Sequence, residues 1–192
     1  MIVFLRILAV FGLALVSPVI FFSCLLILIE DGLPIFFVQN RIGHNEKVFR
    51  LLKIRTMHRE TPSLGTHEIS VDNYLRCGKF LRNLKIDELP QVMNFIKGDI
   101  NLVGPRPGLE NQKELLIFRR SHGVHNFKPG ITGLAQVLGY DMSNPELLSK
   151  IDNLYIQNRS ISLDIEIFFA TFIRPIRAKI NKKFTSDINN LM

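Results

Sequence analysis

Two adjacent carboxylates open the run Asp87-Glu88-Leu89-Pro90-Gln91, just ahead of a stretch that reads as a short helix. Asp87 stands at an N-cap position, Glu88 and Pro90 fall in the first turn, and Lys97-Gly98 marks the helix end. Free N–H groups at a helix start attract anions and favour an ionised carboxylate. That puts a nucleophile within reach of a phosphate. The plainer reading, a cap at Asp87 and a favourable dipole charge at Glu88, stays open on these residues alone. Downstream, Ile100 to Val103 is an apolar run suited to a buried strand, and Pro105-Arg106-Pro107 follows it. The two prolines fix φ on either side of Arg106, which leaves its backbone little freedom to lose. Guanidinium groups bind phosphate through paired N–H bonds, so helix start, acidic pair and stiffened arginine together suit a diphosphate.

The elements that must position these residues lie on both sides of them. The 192 residues fit one domain of ordinary size, and the net charge of +7 points to an anionic ligand or an acidic surface, nucleic acid and anionic lipid included. Cys24 lies in an apolar run and Cys77 in an expected helix, without paired spacing. Neither a disulfide framework nor a zinc site is implied, and a reducing compartment follows.

No charged residue occurs between Arg6 and Glu30. At 1.5 Å per residue, roughly 23 residues make a helix of about 35 Å, enough to cross a bilayer. A signal peptide fits poorly, because the apolar part is too long and no small-residue cleavage pattern follows, so the segment is expected to be retained. At its centre Ser17-Pro18 removes a helical hydrogen bond and leaves the Ser17 hydroxyl to serve a freed backbone group, which predicts a bend. Two half-helices could enter and leave one leaflet, although residue physics alone favours a straight span. Arg41, Lys47, Arg50, Lys53 and Arg55 follow closely and assign the remaining chain to the cytoplasmic side.

Ile35 to Gln39 and Lys47 to Ile54 are β-prone runs joined by Arg41 to Glu46, which predicts a hairpin. Residues 59–68 are polar and rich in turn formers, and are expected to be a flexible loop. Tyr74, Cys77, Leu81 and Leu84 recur at helical spacing beside a basic row of Arg76, Lys79, Arg82 and Lys85. That row reads as a solvated face, with Arg82 close enough in sequence to the acidic pair to bind phosphate. His122 and His125 read as surface residues. Lys128 to Gln136 is a glycine-punctuated loop that either approaches a ligand or makes a tight turn. Pro145 to Asn158 reads as a helix carrying Asp152. Leu163 to Ile176 reads as an apolar helix leading into Arg174, Arg177, Lys179, Lys182 and Lys183, suited to a membrane surface or to a core with a solvated tail.

Several of these blocks, in this order, resemble the bacterial sugar transferases, also called monotopic phosphoglycosyl transferases. They are the apolar opening with Ser17-Pro18, Phe37-Val38-Gln39-Asn40-Arg41-Ile42-Gly43, Phe49 to Met57, Asp87 to Gln91, Gly98 to Pro107, and Pro129 to Gln136. The resemblance covers nearly the whole chain. It implies an α+β fold: a re-entrant membrane helix over 1–30, broken at Ser17-Pro18, then a cytoplasmic catalytic domain over 31–192 with a β-hairpin and interfacial amphipathic helices resting on the bacterial inner membrane. It implies transfer of a sugar 1-phosphate from a nucleotide diphosphate sugar, usually a UDP-sugar, to polyprenyl (undecaprenyl) phosphate, with release of UMP. It also implies Asp87 as nucleophile, Glu88 as its partner, and Mg²⁺ held by both. Lys53, Arg82, Arg106 and Asp152 match positions near the family's site, the three cations falling to phosphate. Adjacent carboxylates would not suit a glycosidase, whose pair flanks a bond from about 5 Å or more apart.

The chain also departs from the family's pattern. Only Arg6 stands where many members carry a basic pair and an aspartate, Lys85 replaces a small hydroxyl residue, and Leu138-Gly139-Tyr140 replaces Asn-Gly-Arg. The last change makes the sugar unreadable. A basic membrane-surface adaptor without catalysis, or a nucleic-acid binder, is the rival from another class. Nucleic acid is set aside because the aromatic interleaving of strand-binding surfaces is missing. A homo-oligomer stays open.

Overall fold

A 30-residue helix, α1 (Ile2–Asp31), opens the computed structural model, which describes residues 2–62 and 69–191. Pro18 has no N–H to give to the carbonyl one turn back, Ala14, and the Ser17 hydroxyl donates to that oxygen at 2.8 Å instead. The hydroxyl thus does what the Ser-Pro pair predicts, and the helical pattern continues through the proline. Phe11, Leu15, Phe21, Phe22 and Ile29 point away from the protein, each more than 60% exposed (69, 81, 64, 63 and 76%). By length and composition α1 can cross a membrane.

The chain forms two compact units, one made of residues up to Asn40 with Arg50–Gly98, the other of Arg41–Phe49 with residues from Asp99 onward. In the first, Ile20 and Ile27 of α1 pack with Ile54, Leu75, Leu81 and Ile86. Glu30 caps the next helix, α2 (Arg76–Asn83), by accepting from the backbone N–H groups of Arg76 and Cys77 at 2.6 and 2.9 Å. Its neighbour Asp31 pairs with buried Arg55, with His58 at 3.2 Å and with Arg59 at 3.7 Å. At the other end of α1 the Arg6 guanidinium lies so close to Gly98 that a Cβ there would sit 2.6 Å from its Nη2. Both ends of the apolar helix therefore rest on one unit.

The expected hairpin is present as a two-stranded sheet of β1 (Phe36–Ile42) and β2 (Val48–Ile54). β1 runs through Arg41 and Ile42, which the sequence assigns to the turn, because Gly43 N–H donates to Lys47 O at 2.9 Å and closes a tighter loop. Alternate residues put Gln39, Arg41, Leu51 and Lys53 on the buried face. A buried face that carries two cations and an amide is unusual for a strand pair. Within the expected flexible loop, residues 63–68 lie outside the described residues.

In the second unit, β3 (Asn101–Val103) pairs in parallel with β4 (Gly130–Thr132), with Asn101 opposite Gly130 and Val103 opposite Thr132. Between them lies α4 (Lys113–Ser121), and after them come α5 (Leu134–Leu138), α6 (Pro145–Gln157), α7 (Ile161–Ala170) and α8 (Arg174–Asn189). The core joins Val103, Leu115, Leu134, Ile151, Tyr155, Ile167, Ile180 and Phe184. Asn144 caps α6 and Ser160 caps α7, their side-chain oxygens accepting from Leu147 and Leu163 N–H at 3.1 Å each.

Two expectations need correction in this unit. The single apolar helix over 163–176 is two helices, since the residue before Pro175 disfavours a continuing helix and the proline fits the first turn of α8. His125 is no surface residue: it is 9% exposed in the turn Val124–Asn126, where burial and the nearby Arg119 charge push its pKa down. His122 is half-buried, its Nδ1 lying 2.8 Å from Phe118 O and 3.1 Å from the Ser149 hydroxyl. The glycine-punctuated loop proves to be a close approach of backbone to backbone, with Gly130 and Gly133 packed on Gly104.

Candidate active site

The acidic pair sits in a 3-10 turn, Ile86–Glu88, that follows α2 and leads into α3 (Gln91–Lys97). Lys85 enters this turn with φ of 57°, a left-handed conformation that costs a lysine about 1 kcal/mol or more. Glu88 N–H donates to Lys85 O at 3.3 Å and Leu89 N–H to Ile86 O at 3.1 Å. This corrects the N-cap assignment: Pro90 occupies that place before α3, and Asp87 lies three residues earlier. Proline at φ of −62° is ready for a helical start, so the helix begins after it and the preceding residues tighten into i to i+3 bonds. α3 has only seven residues, and Asp87 lies outside its first turn, so a helix dipole offers Asp87 little. Asp87 is buried, 4% exposed.

Lys53 of β2 reaches the pair directly, its Nζ donating to Glu88 Oε1 at 2.9 Å with the two side chains 11 and 15% exposed. Within the same unit the Arg82 guanidinium lies over the Tyr74 ring, 4.9 Å from its centroid. Cys77 offers no competing nucleophile. Burial, and then the Glu30 carboxylate beside it, push its thiol up to about 12.

Sequence reasoning passed over two amides here. Asn94 is 3% exposed and bonds β2 through both side-chain atoms, Oδ1 accepting from Leu52 N–H at 3.1 Å and Nδ2 donating to Arg50 O at 2.8 Å. Gln91 is 2% exposed, its Nε2 without a hydrogen-bond partner among the described residues. Both lie on the buried side of α3 with Phe95, at i, i+3 and i+4. Polar residues at core spacing on a short helix beside two carboxylates were the available signal.

The remaining two assigned residues belong to the second unit. Arg106 leaves β3 between two pinned carbonyls, with Pro105 O accepting from Gly130 N–H at 2.9 Å and Pro107 O from Arg41 Nη1 at 2.9 Å. Its backbone is held as the flanking prolines predict. Asp152 on α6 is buried, and its Oδ2 accepts from Arg119 Nε and Nη2 at 3.0 and 2.6 Å. Arg119 was not singled out from the sequence, because a buried arginine at the end of an amphipathic helix reads as surface until its partner is known.

The chain matches the family model for bacterial sugar transferases over residues 2–178. It belongs to this family. Among its relatives, an uncharacterized sugar transferase, EpsL, of Bacillus subtilis is 39% identical over 163 residues, covering 85% of this chain and 80% of the relative. The UDP-N-acetylgalactosamine-undecaprenyl-phosphate N-acetylgalactosaminephosphotransferase of Aeromonas hydrophila is 37% identical over 88% of this chain and 41% of its own length. The UDP-glucose:undecaprenyl-phosphate glucose-1-phosphate transferase of Caulobacter vibrioides is 34% identical over 82% of this chain and 62% of its own. The chain thus spans most of the first relative and a smaller part of the other two. As a sugar transferase it is an enzyme.

Proposed function

We propose that this sugar transferase moves a sugar 1-phosphate from a UDP-sugar to undecaprenyl phosphate at the cytoplasmic face of a bacterial inner membrane. The observation that carries the reading is the Lys53–Glu88 pair at 2.9 Å, adjacent in sequence to buried Asp87, in a chain of this family. The names of the Aeromonas and Caulobacter relatives supply the donor class and the lipid acceptor.

Two displacements account for the residues. An Asp87 carboxylate oxygen attacks the phosphorus that bears the sugar, an O–P bond forms, the P–O bond to the nucleotide's phosphate breaks, and UMP leaves. A phosphate oxygen of undecaprenyl phosphate then attacks the same phosphorus, the bond to Asp87 breaks, and the carboxylate is restored. A soluble donor and a bilayer-bound acceptor can thus use one nucleophile in turn. Lys53 fixes Glu88 beside that nucleophile, while Arg82 and Arg106 supply paired N–H groups to phosphate oxygens. Asp152 serves the fold of its unit by holding Arg119.

The donor set suits Mg²⁺. Two adjacent carboxylates are hard oxygen ligands, and among the described residues no cluster of three or more His, Cys, Asp or Glu forms a dedicated cage. Mg²⁺ is commonly held by one or two carboxylates together with substrate phosphates. Asp87 and Glu88 would hold it, and when bound it would offset the charge of the diphosphate.

Membrane seating follows the same reading. A straight α1 normal to the membrane would separate Arg6 from Glu30 by about 36 Å at 1.5 Å per residue, yet each touches the same unit. This supports a re-entrant course. Exposed Ile161, Ile165, Phe168, Phe169, Phe172 and Ile173, followed by the basic residues of α8, suit an interfacial position against anionic lipid.

The test is incubation with UDP-glucose or UDP-N-acetylgalactosamine and Mg²⁺ in the absence of lipid acceptor. The wild type should release about one equivalent of UMP and gain the mass of a sugar phosphate, whereas Asp87→Asn should do neither. If UMP appears only when undecaprenyl phosphate is present and no adduct can be trapped, transfer is direct and Asp87 has another role.

A further inference from the structure

Among the described residues the sheet has two strands, so the outer edge of each lacks a neighbouring strand, and such a pair is at best marginally stable by itself. On β2 the groups that face this edge at Arg50 and Leu52 are an acceptor and a donor two residues apart. In a larger sheet the backbone of a third strand would meet both. Here a single planar amide does so: Asn94 Nδ2 donates to Arg50 O at 2.8 Å and Asn94 Oδ1 accepts from Leu52 N–H at 3.1 Å. The side chain stands in for a strand residue, and it is 3% exposed, so water does not compete for either bond.

The next residue along β2 is Lys53, whose Nζ lies on Glu88. Glu88 precedes α3 by three residues, and Asn94 is the fourth residue of α3. The strand and the acidic turn are therefore tied twice, by the Asn94 amide through the backbone and by the lysine through its tip. The ties are unequal. A lysine stem has four rotatable bonds and can follow a shifted carboxylate, whereas an amide that meets two backbone groups fixes both register and distance.

We infer that Asn94 is a positioning residue for the acidic pair, holding β2 in register so that Lys53 meets Glu88. This rests on the functional reading of Asp87 and Glu88 given above. The residue type matters: a carboxylate in place of the amide would present an oxygen to the Arg50 carbonyl, and a serine hydroxyl could reach only one of the two groups.

A double-mutant cycle on the full-length, membrane-reconstituted chain tests the assignment, read as the initial rate of UMP release from UDP-glucose or UDP-N-acetylgalactosamine with Mg²⁺. Lys53→Met should lower the wild-type rate about tenfold or more, but the Asn94→Ala rate less than about threefold, because coupled residues do not lose independently. A merely structural role predicts losses that multiply, and that result overturns the inference. Hydrogen exchange at the Leu52 amide provides the second arm. It should be faster in Asn94→Ala, and also in Asn94→Asp, which retains an acceptor but loses the donor to Arg50. Unchanged exchange at Leu52 in Asn94→Ala overturns the inference whatever the rates show. Failure of the functional reading looks different: Lys53→Met would then match the wild type, and the Leu52 amide alone would decide for or against Asn94.

Discussion

Arg106 owes its placement to neighbours that have no charge to offer a substrate. Pro105 and Pro107 are buried and their carbonyls are bonded, while the arginine between them is half-exposed. Such a residue brings a planar fork to a ligand at small entropic cost, which a lysine cannot reproduce. Arg106→Lys keeps the charge and loses the paired N–H geometry, so activity should fall by about tenfold or more with the melting temperature little changed. Steady-state transfer to undecaprenyl phosphate beside a thermal melt would measure both, and wild-type activity would make Arg106 a point charge or a structural residue. At this scale the sequence was informative about residue types and poor on partners. Lys53 and Glu88 are 35 positions apart, Arg119 and Asp152 33, and Asn94 and Leu52 42. No local spacing rule links such pairs. The burial of His125 escaped for the same reason, because a polar turn conceals a core position until α4 and α6 close around it.

Among the elements, the parallel pair β3–β4 is the most exacting. A Cβ at Gly130 would lie 2.2 Å from Gly104 N, 2.5 Å from Thr132 O and 2.7 Å from Val103 C, all backbone atoms that cannot swing aside. The same approach lets Gly104 N–H reach Thr132 O and Gly130 N–H reach Pro105 O, each at 2.9 Å. Gly130→Ala should therefore cost about 3 kcal/mol or more, beyond the loss of glycine's flexibility, and should loosen the strand that leads to Arg106. Denaturant unfolding in detergent would give the stability. A loss under about 0.5 kcal/mol, the scale of an ordinary surface substitution, would mean that the strands part easily. Helical spacing revealed α2, a charge-free stretch of sufficient length revealed the long apolar helix, and two β-prone runs about a turn revealed the hairpin. Such patterns failed where one residue changes the local geometry. Pro90 moves the start of α3 past Asp87, and Pro175 separates α7 from α8.

On the scale of the whole molecule, the testable quantity is the side of the membrane on which α1 begins. With Arg6 against Gly98 and Glu30 on α2, a cysteine placed at Phe4 should stay on the cytoplasmic side. An impermeant maleimide applied to intact cells should leave Phe4→Cys unlabelled and react with it only after permeabilisation. Labelling from outside would establish a span. The contacts of α1 have a further practical consequence. Glu30 is the cap of α2, Asp31 is the counter-ion of buried Arg55, and Ile27 is a fully buried core residue, so the greasy helix is part of the scaffold of its unit. A version trimmed before residue 32 to obtain a water-soluble enzyme would expose a raw core face, strand a guanidinium and fray the helix that leads to Asp87. Solubility will have to come from recoating that helix, with detergent or with polar substitutions at Phe11, Leu15 and Ile29, and not from removing it.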